Sequence, residues 1–228
     1  MDIIDDDQSK LMVIARTAGI WYLVMAISGV LGFMIYHPQV YDADPQQTWT
    51  NLVEGERLAR LRLLLEFVII LSQALTALWF YRLFRNINGW ASLATLIWGT
   101  VNAIVILISA LSMVAAIQLA LSSPGMEDKV AGIDLLTKII SNAWGIGGLF
   151  FGLWLIPLGY IITSSKRMPV GLGRTLILGG IGYLVSTFIK YAGISGSWVG
   201  ALTLPATVGE FWMIGYLLIF GIRPRKEQ

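Results

Sequence analysis

The sequence predicts an all-α, polytopic integral membrane protein: a six-helix transmembrane bundle with both termini on the cytoplasmic side. Composition is the first observation behind this. Of 228 residues, 56% are hydrophobic and only 13% charged, and the mean hydropathy is +0.72, which is more apolar surface than a water-soluble domain can hide. The second is segment length. Residues 17–41, 86–126 and 139–165 carry no formal charge, and a span of the hydrocarbon core needs about 20 mostly apolar residues. The third is the distribution of positive charge between successive loops.

Taken in order, the spans are expected at about 13–36, 59–84, 91–120, 138–162, 174–192 and 201–222, within one transmembrane domain over 1–228. A closed β-barrel would show short alternating segments instead of these long continuous runs. The opening MDIIDDDQSK is acidic and lacks the positive n-region of a secretory signal, so the first helix is expected to stay in place. Six spans put both termini on one side. That side collects Lys10, Arg16, Arg82, Arg85, Lys166, Arg167, Arg174, Arg223, Arg225 and Lys226. The other holds Arg57, Arg60, Arg62, Lys129, Lys138 and Lys190. Ten against six puts the termini in the cytoplasm and the chain, as a multi-pass protein, in the cell's inner membrane. Aromatic residues near the span ends, Trp144 and Tyr191 among them, fit an interfacial belt.

Several function classes drop out. With no cysteine and the single histidine His37, the chain has no thiolate metal site, no iron–sulfur cluster and no pair of histidines for a haem. No cofactor is expected. A net charge of +2 gives no reason to expect a nucleic-acid partner. Asp42 and Asp44 raise a metal reading, but Asp-x-Asp before a proline is the pattern of a solvated turn. Asn51 followed by Glu54 resembles a capping box, so the second helix is expected to begin near Asn51. GLGRTLILGG (171–180) follows no strand and lacks the third glycine of a dinucleotide fingerprint; it reads as a basic cytoplasmic loop. Gly145, Gly148, Gly152 and Gly159 in helix four, and Gly179, Gly182 and Ser186 in helix five, predict close backbone packing. Pro157 is expected to kink helix four.

The polar residues inside the spans carry the functional question, because a charge in hydrocarbon needs a partner, a wet cavity or neutralisation. Glu210 is the one charge between Tyr191 and Ile222, with Thr203 and Thr207 on its face. Helix two carries Arg62, Glu66 and Gln73, and Arg62 and Glu66 are spaced to pair along the helix. Arg60 stands above them. Asn102 in helix three and Asn142 in helix four add to the set. Two readings stand. One is structural, with polar side chains gluing helices and long cations reaching the interface. The other is a polar cup open to the outer face, lined by Arg60, Arg62, Glu66, Gln73, Asn102, Asn142 and Glu210, with Glu210 balanced by Arg60 or Arg62.

The order of ARTAGIWYLVMAISGVLG, ALWFYRLFRNIN, FFGLWLIPLGYII, GIGYLVSTF and LPATVGEFWMIGYLLIFGI resembles a family of bacterial six-span membrane proteins known as domain of unknown function 4386. The resemblance implies architecture and carries no activity. Arg60, Glu66 and Glu210 match polar positions of that pattern. Gln73, Gly99, Trp154 and Ser186 stand where it has an acid, a basic residue, a histidine and an aspartate. The chain reads as a divergent member that has lost several polar partners together.

The functional expectation is therefore a non-catalytic protein that binds a lipid, a small amphiphile or a membrane partner through an outward-facing polar cleft. The alternative is a membrane enzyme or proton-coupled carrier using Glu66 or Glu210. The sequence has no histidine expected inside a span, no cysteine, no His-Glu-x-x-His motif and no inverted repeat of interrupted helices to support it.

Overall fold

The computed structural model describes residues 2–122 and 125–224, with side chains from residue 8 onward apart from residue 126. Arg225 and Lys226, counted in the charge balance, lie outside these residues, as do the side chains of the acidic opening. Among the described residues the chain is mostly helical and has no strand. The helices are α1 (Asp2–Gly29), a π-helical segment Val30–Tyr36, α2 (His37–Val40), α3 (Pro45–Glu54), α4 (Glu56–Phe84), α5 (Gly89–Leu121), α6 (Met126–Ser165), α7 (Val170–Tyr191), α8 (Ser197–Ala201) and α9 (Leu204–Ile219). Six of the resulting rods are long and apolar enough to cross a membrane: 8–40, 56–84, 89–121, 127–165, 170–191 and 197–219. The protein is an all-α, multi-pass membrane protein.

The boundaries depart from expectation for identifiable reasons. Asn51 lies inside α3 and does not open helix two. The N-cap of α3 is Asp44, whose side chain accepts from the Gln46 N–H at 3.0 Å with Pro45 in the first turn. Asp42 accepts from the Asp44 N–H at 2.9 Å, so the Asp-x-Asp pair builds a turn and a cap. The fourth span begins at Met126 instead of about 138. Its added turns carry Glu127 and Asp128 at the N-terminus, where the helix dipole favours them, and the Lys138–Asp134 pair at 2.6 Å. A hydropathy window excludes such residues, but Ile133 on the same turns is fully buried. GLGRTLILGG is not a loop: it lies within α7, which starts directly after Pro169. The sixth span is two helices, α8 and α9, separated at Leu202–Thr203. α6 runs helical through Pro157.

Residue contacts group the chain into two compact units. The first comprises Met1–Leu23, Gln73–Asn102 and Gly148–Gln228; the second comprises Val24–Ser72 and Ala103–Gly147. In the first unit, glycine decides the packing of α6, α7 and α9. A Cβ on Gly152 would lie 2.6 Å from the Gly180 carbonyl oxygen, and one on Gly180 would lie 2.8 Å from the Gly152 carbonyl oxygen. Gly159 faces Gly173 in the same way, Gly148 abuts Thr187, and Gly179 and Gly182 abut Ala206 and Leu202. Lipid provides no hydrophobic drive to bring helices together, so close van der Waals contact between backbones supplies it. The segment after α9 is tied down in this unit: Gln8 Nε2 donates to the Ile222 carbonyl at 2.8 Å, and Arg167 Nε to the Arg223 carbonyl at 2.7 Å.

The second unit packs by interlocking side chains. Val40, Tyr41, Leu52, Leu63, Met113, Ile117, Ile133 and Ile140 form a buried cluster with Trp49, Leu136 and Trp144 against it. Helix α3 is amphipathic and contributes Thr48 and Leu52 to the interior. The Thr48 hydroxyl accepts from the Asp42 N–H at 2.9 Å and donates to the Asp42 carbonyl at 3.1 Å, which fixes the turn that follows Tyr41.

The glycine contacts yield a direct test. Gly152→Val places its branch against backbone that cannot retreat, and is expected to cost about 1–3 kcal/mol. That loss reads as a lower unfolding temperature of the purified protein in detergent. Gly215→Ala, inside α9 where an added Cβ meets nothing within 4 Å, is expected to hold or raise the temperature, because alanine favours helix over glycine.

Candidate functional site

In the second unit, Arg62 and Glu66 sit one turn apart on α4 with both side chains at 0% exposure. Arg62 Nη1 donates to Glu66 Oε2 at 2.8 Å. The other carboxylate oxygen, Oε1, accepts from Trp144 Nε1 of α6 at 2.8 Å. Both oxygens of Glu66 are therefore held. The guanidinium is not equally served: Arg62 Nε and Nη2 have no hydrogen-bond partner among the described residues. A buried ion pair recovers its desolvation cost only when its remaining protons are also met, so this arginine is short of acceptors.

The π-helical segment closes on the pair. Its wider turn carries a hydrogen bond from the His37 N–H back to the Gly32 carbonyl, five residues earlier. Gly32 rests on the guanidinium, where a Cβ would stand 3.3 Å from Arg62 Nη1. Glycine thus lets the backbone of the first span approach the charge. A row of rings follows. Trp144 meets Phe33 at 4.9 Å between centroids, Phe33 stacks on His37 at 5.0 Å and 12°, and His37 meets Tyr41 at 5.0 Å. The Tyr41 hydroxyl and His37 Nδ1 have no partner among the described residues. Both rings lie within electrostatic reach of Arg62, and Tyr41 within reach of Glu66 as well. Burial pushes the Tyr41 phenol well above its ordinary range, so at neutral pH it is an O–H donor.

The first unit holds a different arrangement around Glu210. This residue lies six positions into α9, about 9 Å from the helix start at 1.5 Å per residue. Glu210 Oε1 accepts from the Tyr22 hydroxyl at 2.7 Å. Tyr22 is buried edge-on between Phe80 and Trp154, each at 5.6 Å. The fully buried Trp154 ring covers Gly99, where a Cβ would stand 3.0 Å from Trp154 Cε3. Gln73 and Asn102 are also fully buried, and none of their four amide atoms has a partner among the described residues.

The expected site residues are thus distributed. Arg62 and Glu66 pair as their spacing predicts. Arg60 does not join them: two residues along a helix do not share a face, and Arg60 Nε donates to Glu56 at 2.7 Å on the exposed side. Asn142 lies exposed on α6. The expectation that Arg60 or Arg62 balances Glu210 is corrected: both guanidinium groups bond to a glutamate on their own helix, and Glu210 takes its hydrogen bond from Tyr22. Sequence reasoning missed Tyr22, Phe33, His37 and Tyr41 as site residues, and read Trp144 as a belt residue. Phe33, His37 and Tyr41 at i, i+4 and i+8 do form a ring stripe, which is legible in principle. Which carboxylate a tryptophan or tyrosine reaches is not.

The match with known proteins agrees with this architecture. The family model described as Domain of unknown function (DUF4386) covers residues 17–221. The chain belongs to that family. No curated protein and no solved structure is significantly similar to it. The DUF4386 match embraces every residue of both arrangements, from Tyr22 to Glu210. Gly99 and Trp154, two positions singled out in the sequence, lie against one another in the first unit.

The Arg62–Glu66 pair makes an asymmetric prediction. Glu66→Leu strands a guanidinium that cannot lose its proton and is expected to cost about 3–5 kcal/mol. Arg62→Leu leaves a carboxyl that can take up a proton, so its loss is expected to be smaller. The Arg62→Leu/Glu66→Leu double variant is expected to recover most of the stability lost by Glu66→Leu. Unfolding in detergent, compared across the three variants, checks the order.

Proposed function

We propose that this DUF4386 protein is a non-catalytic membrane protein that binds a lipid or another small amphiphile, with Arg62 as the group that meets its head. The observation that carries the reading is the pair of unpartnered nitrogens on Arg62, a side chain with no exposure. More than nine in ten buried polar groups in folded proteins have a partner, and each left bare costs about 1–3 kcal/mol, more when charged. A ligand oxygen would remove that cost. The Tyr41 hydroxyl, also bare, is a second donor for the same head, and the ring row from Trp144 to Tyr41 offers an apolar flank.

The proton-coupled alternative finds less support. Glu66 is bonded to an arginine and a tryptophan, and neither exchanges a proton at neutral pH. Glu210, the other carboxylate of that reading, takes its hydrogen bond from the Tyr22 phenol, a group that ordinarily keeps its proton at neutral pH.

Native mass spectrometry of the protein in lipid nanodiscs, wild type beside Tyr41→Phe, tests the reading. Tyr41→Phe deletes a hydroxyl that bonds to no described residue, so the variant is expected to fold at least as well as wild type. Wild type is expected to retain a defined amphiphilic adduct that is depleted in Tyr41→Phe. A bare chain in both proteins, or an adduct equally retained by both, would overturn the proposal.

A further inference from the structure

We infer that the head group taken by Arg62 is an uncharged hydrogen-bond acceptor bearing carbonyl oxygens, and not an anion; this rests on the binding proposed above. The covalent geometry of the guanidinium is the first argument. Nη1 is committed to Glu66, while Nε and Nη2, the two nitrogens without a partner among the described residues, form the side of the fork with parallel N–H bonds. That edge takes two oxygens, or one oxygen shared between two N–H groups.

Geometry alone would also suit a carboxylate or a phosphate, and charge decides between them. The positive charge of Arg62 is already cancelled by Glu66 at 2.8 Å. An anion on the open edge would leave a net negative charge in a cluster where Arg62 and Glu66 are both fully buried, and such a charge needs its own counter-ion. The adjacent cation on α4, Arg60, is turned to Glu56. A carbonyl oxygen brings acceptor capacity and no charge.

The census of open groups points the same way. Arg62 Nε and Nη2 can only donate, while the Tyr41 hydroxyl and His37 Nδ1 can each donate or accept. A head rich in ammonium groups, which only donate, would find just the Tyr41 hydroxyl and His37 Nδ1 as open acceptors, because both oxygens of Glu66 are occupied. A quinone-type ring and a glyceride ester share the required chemistry.

The test is a titration of the full chain in phosphatidylcholine nanodiscs, followed by native mass spectrometry, with three probes. These are a decyl-substituted benzoquinone, dioctanoylglycerol and laurate. Wild type, Arg62→Lys and Tyr41→Phe are compared. Arg62→Lys keeps a cation opposite Glu66 and removes the fork. At least one uncharged probe is expected to bind wild type, to weaken about tenfold in Tyr41→Phe, the worth of one hydrogen bond, and to be lost in Arg62→Lys. Benzoquinone and dioctanoylglycerol then separate the two carbonyl sources. Laurate binding more tightly than both uncharged probes, with the same dependence on Arg62, would overturn the inference and leave the proposed function standing. Binding of an uncharged probe that neither variant alters would place it elsewhere and also overturn the inference. No binding by any probe, with no native adduct, would remove both readings.

Discussion

Hydrocarbon gives a polar group no water to fall back on, so every donor and acceptor in a membrane span must be met from within the protein or by a ligand. The chain meets this condition first through its backbone, as helix. It meets it next with small hydroxyls that bond to their own helix. Ser28, Ser72, Thr95, Ser112, Thr163 and Thr187 each donate to a carbonyl four residues earlier. Such bonds satisfy the hydroxyl within its own helix. The longer groups cannot be served this way. Glu66 needs Trp144, Glu210 needs Tyr22, and Arg62 is only half served. The candidate site is where local hydrogen bonding runs out.

The two compact units solve their packing differently. In the first, α6, α7 and α9 come together through glycine, backbone against backbone, as at Gly152 and Gly180. In the second, aromatic and branched side chains interlock around Met113 and Ile117, and a π-helical segment sets Gly32 against Arg62. A π turn spoils regular hydrogen bonding and such turns concentrate at functional sites. Here the widened turn carries Phe33 and His37 in one stack and sets Gly32 against a charge.

Trp144 and Tyr22 do comparable things for two carboxylates, the buried Glu66 and the half-buried Glu210. Each offers one donor on a large apolar ring, so it satisfies an oxygen and fills volume at once. Around Tyr22 the surroundings are packed rings, with Trp154 lying over Gly99. Around Arg62 they are a fully buried charged pair.

By itself the sequence determined the class, the number of spans, the Arg62–Glu66 pair and the glycine faces of α6 and α7. These follow from local composition and from helical spacing, which a one-dimensional pattern records in full. It was also enough to assign the family. Tertiary structure alone decided the rest. The fourth span begins twelve residues earlier than about 138, because Ile133 finds a buried place that hydropathy averaging cannot foresee. The sixth span divides into α8 and α9, and the loop expected at 171–180 is helix packed against Gly159. Glu210 bonds to Tyr22, 188 positions away in the chain, and Glu66 to Trp144, 78 positions away. A side chain's partner across the fold depends on helix rotation and on backbone separation. Both are set by volumes summed over many neighbours, and no short stretch of sequence carries that sum.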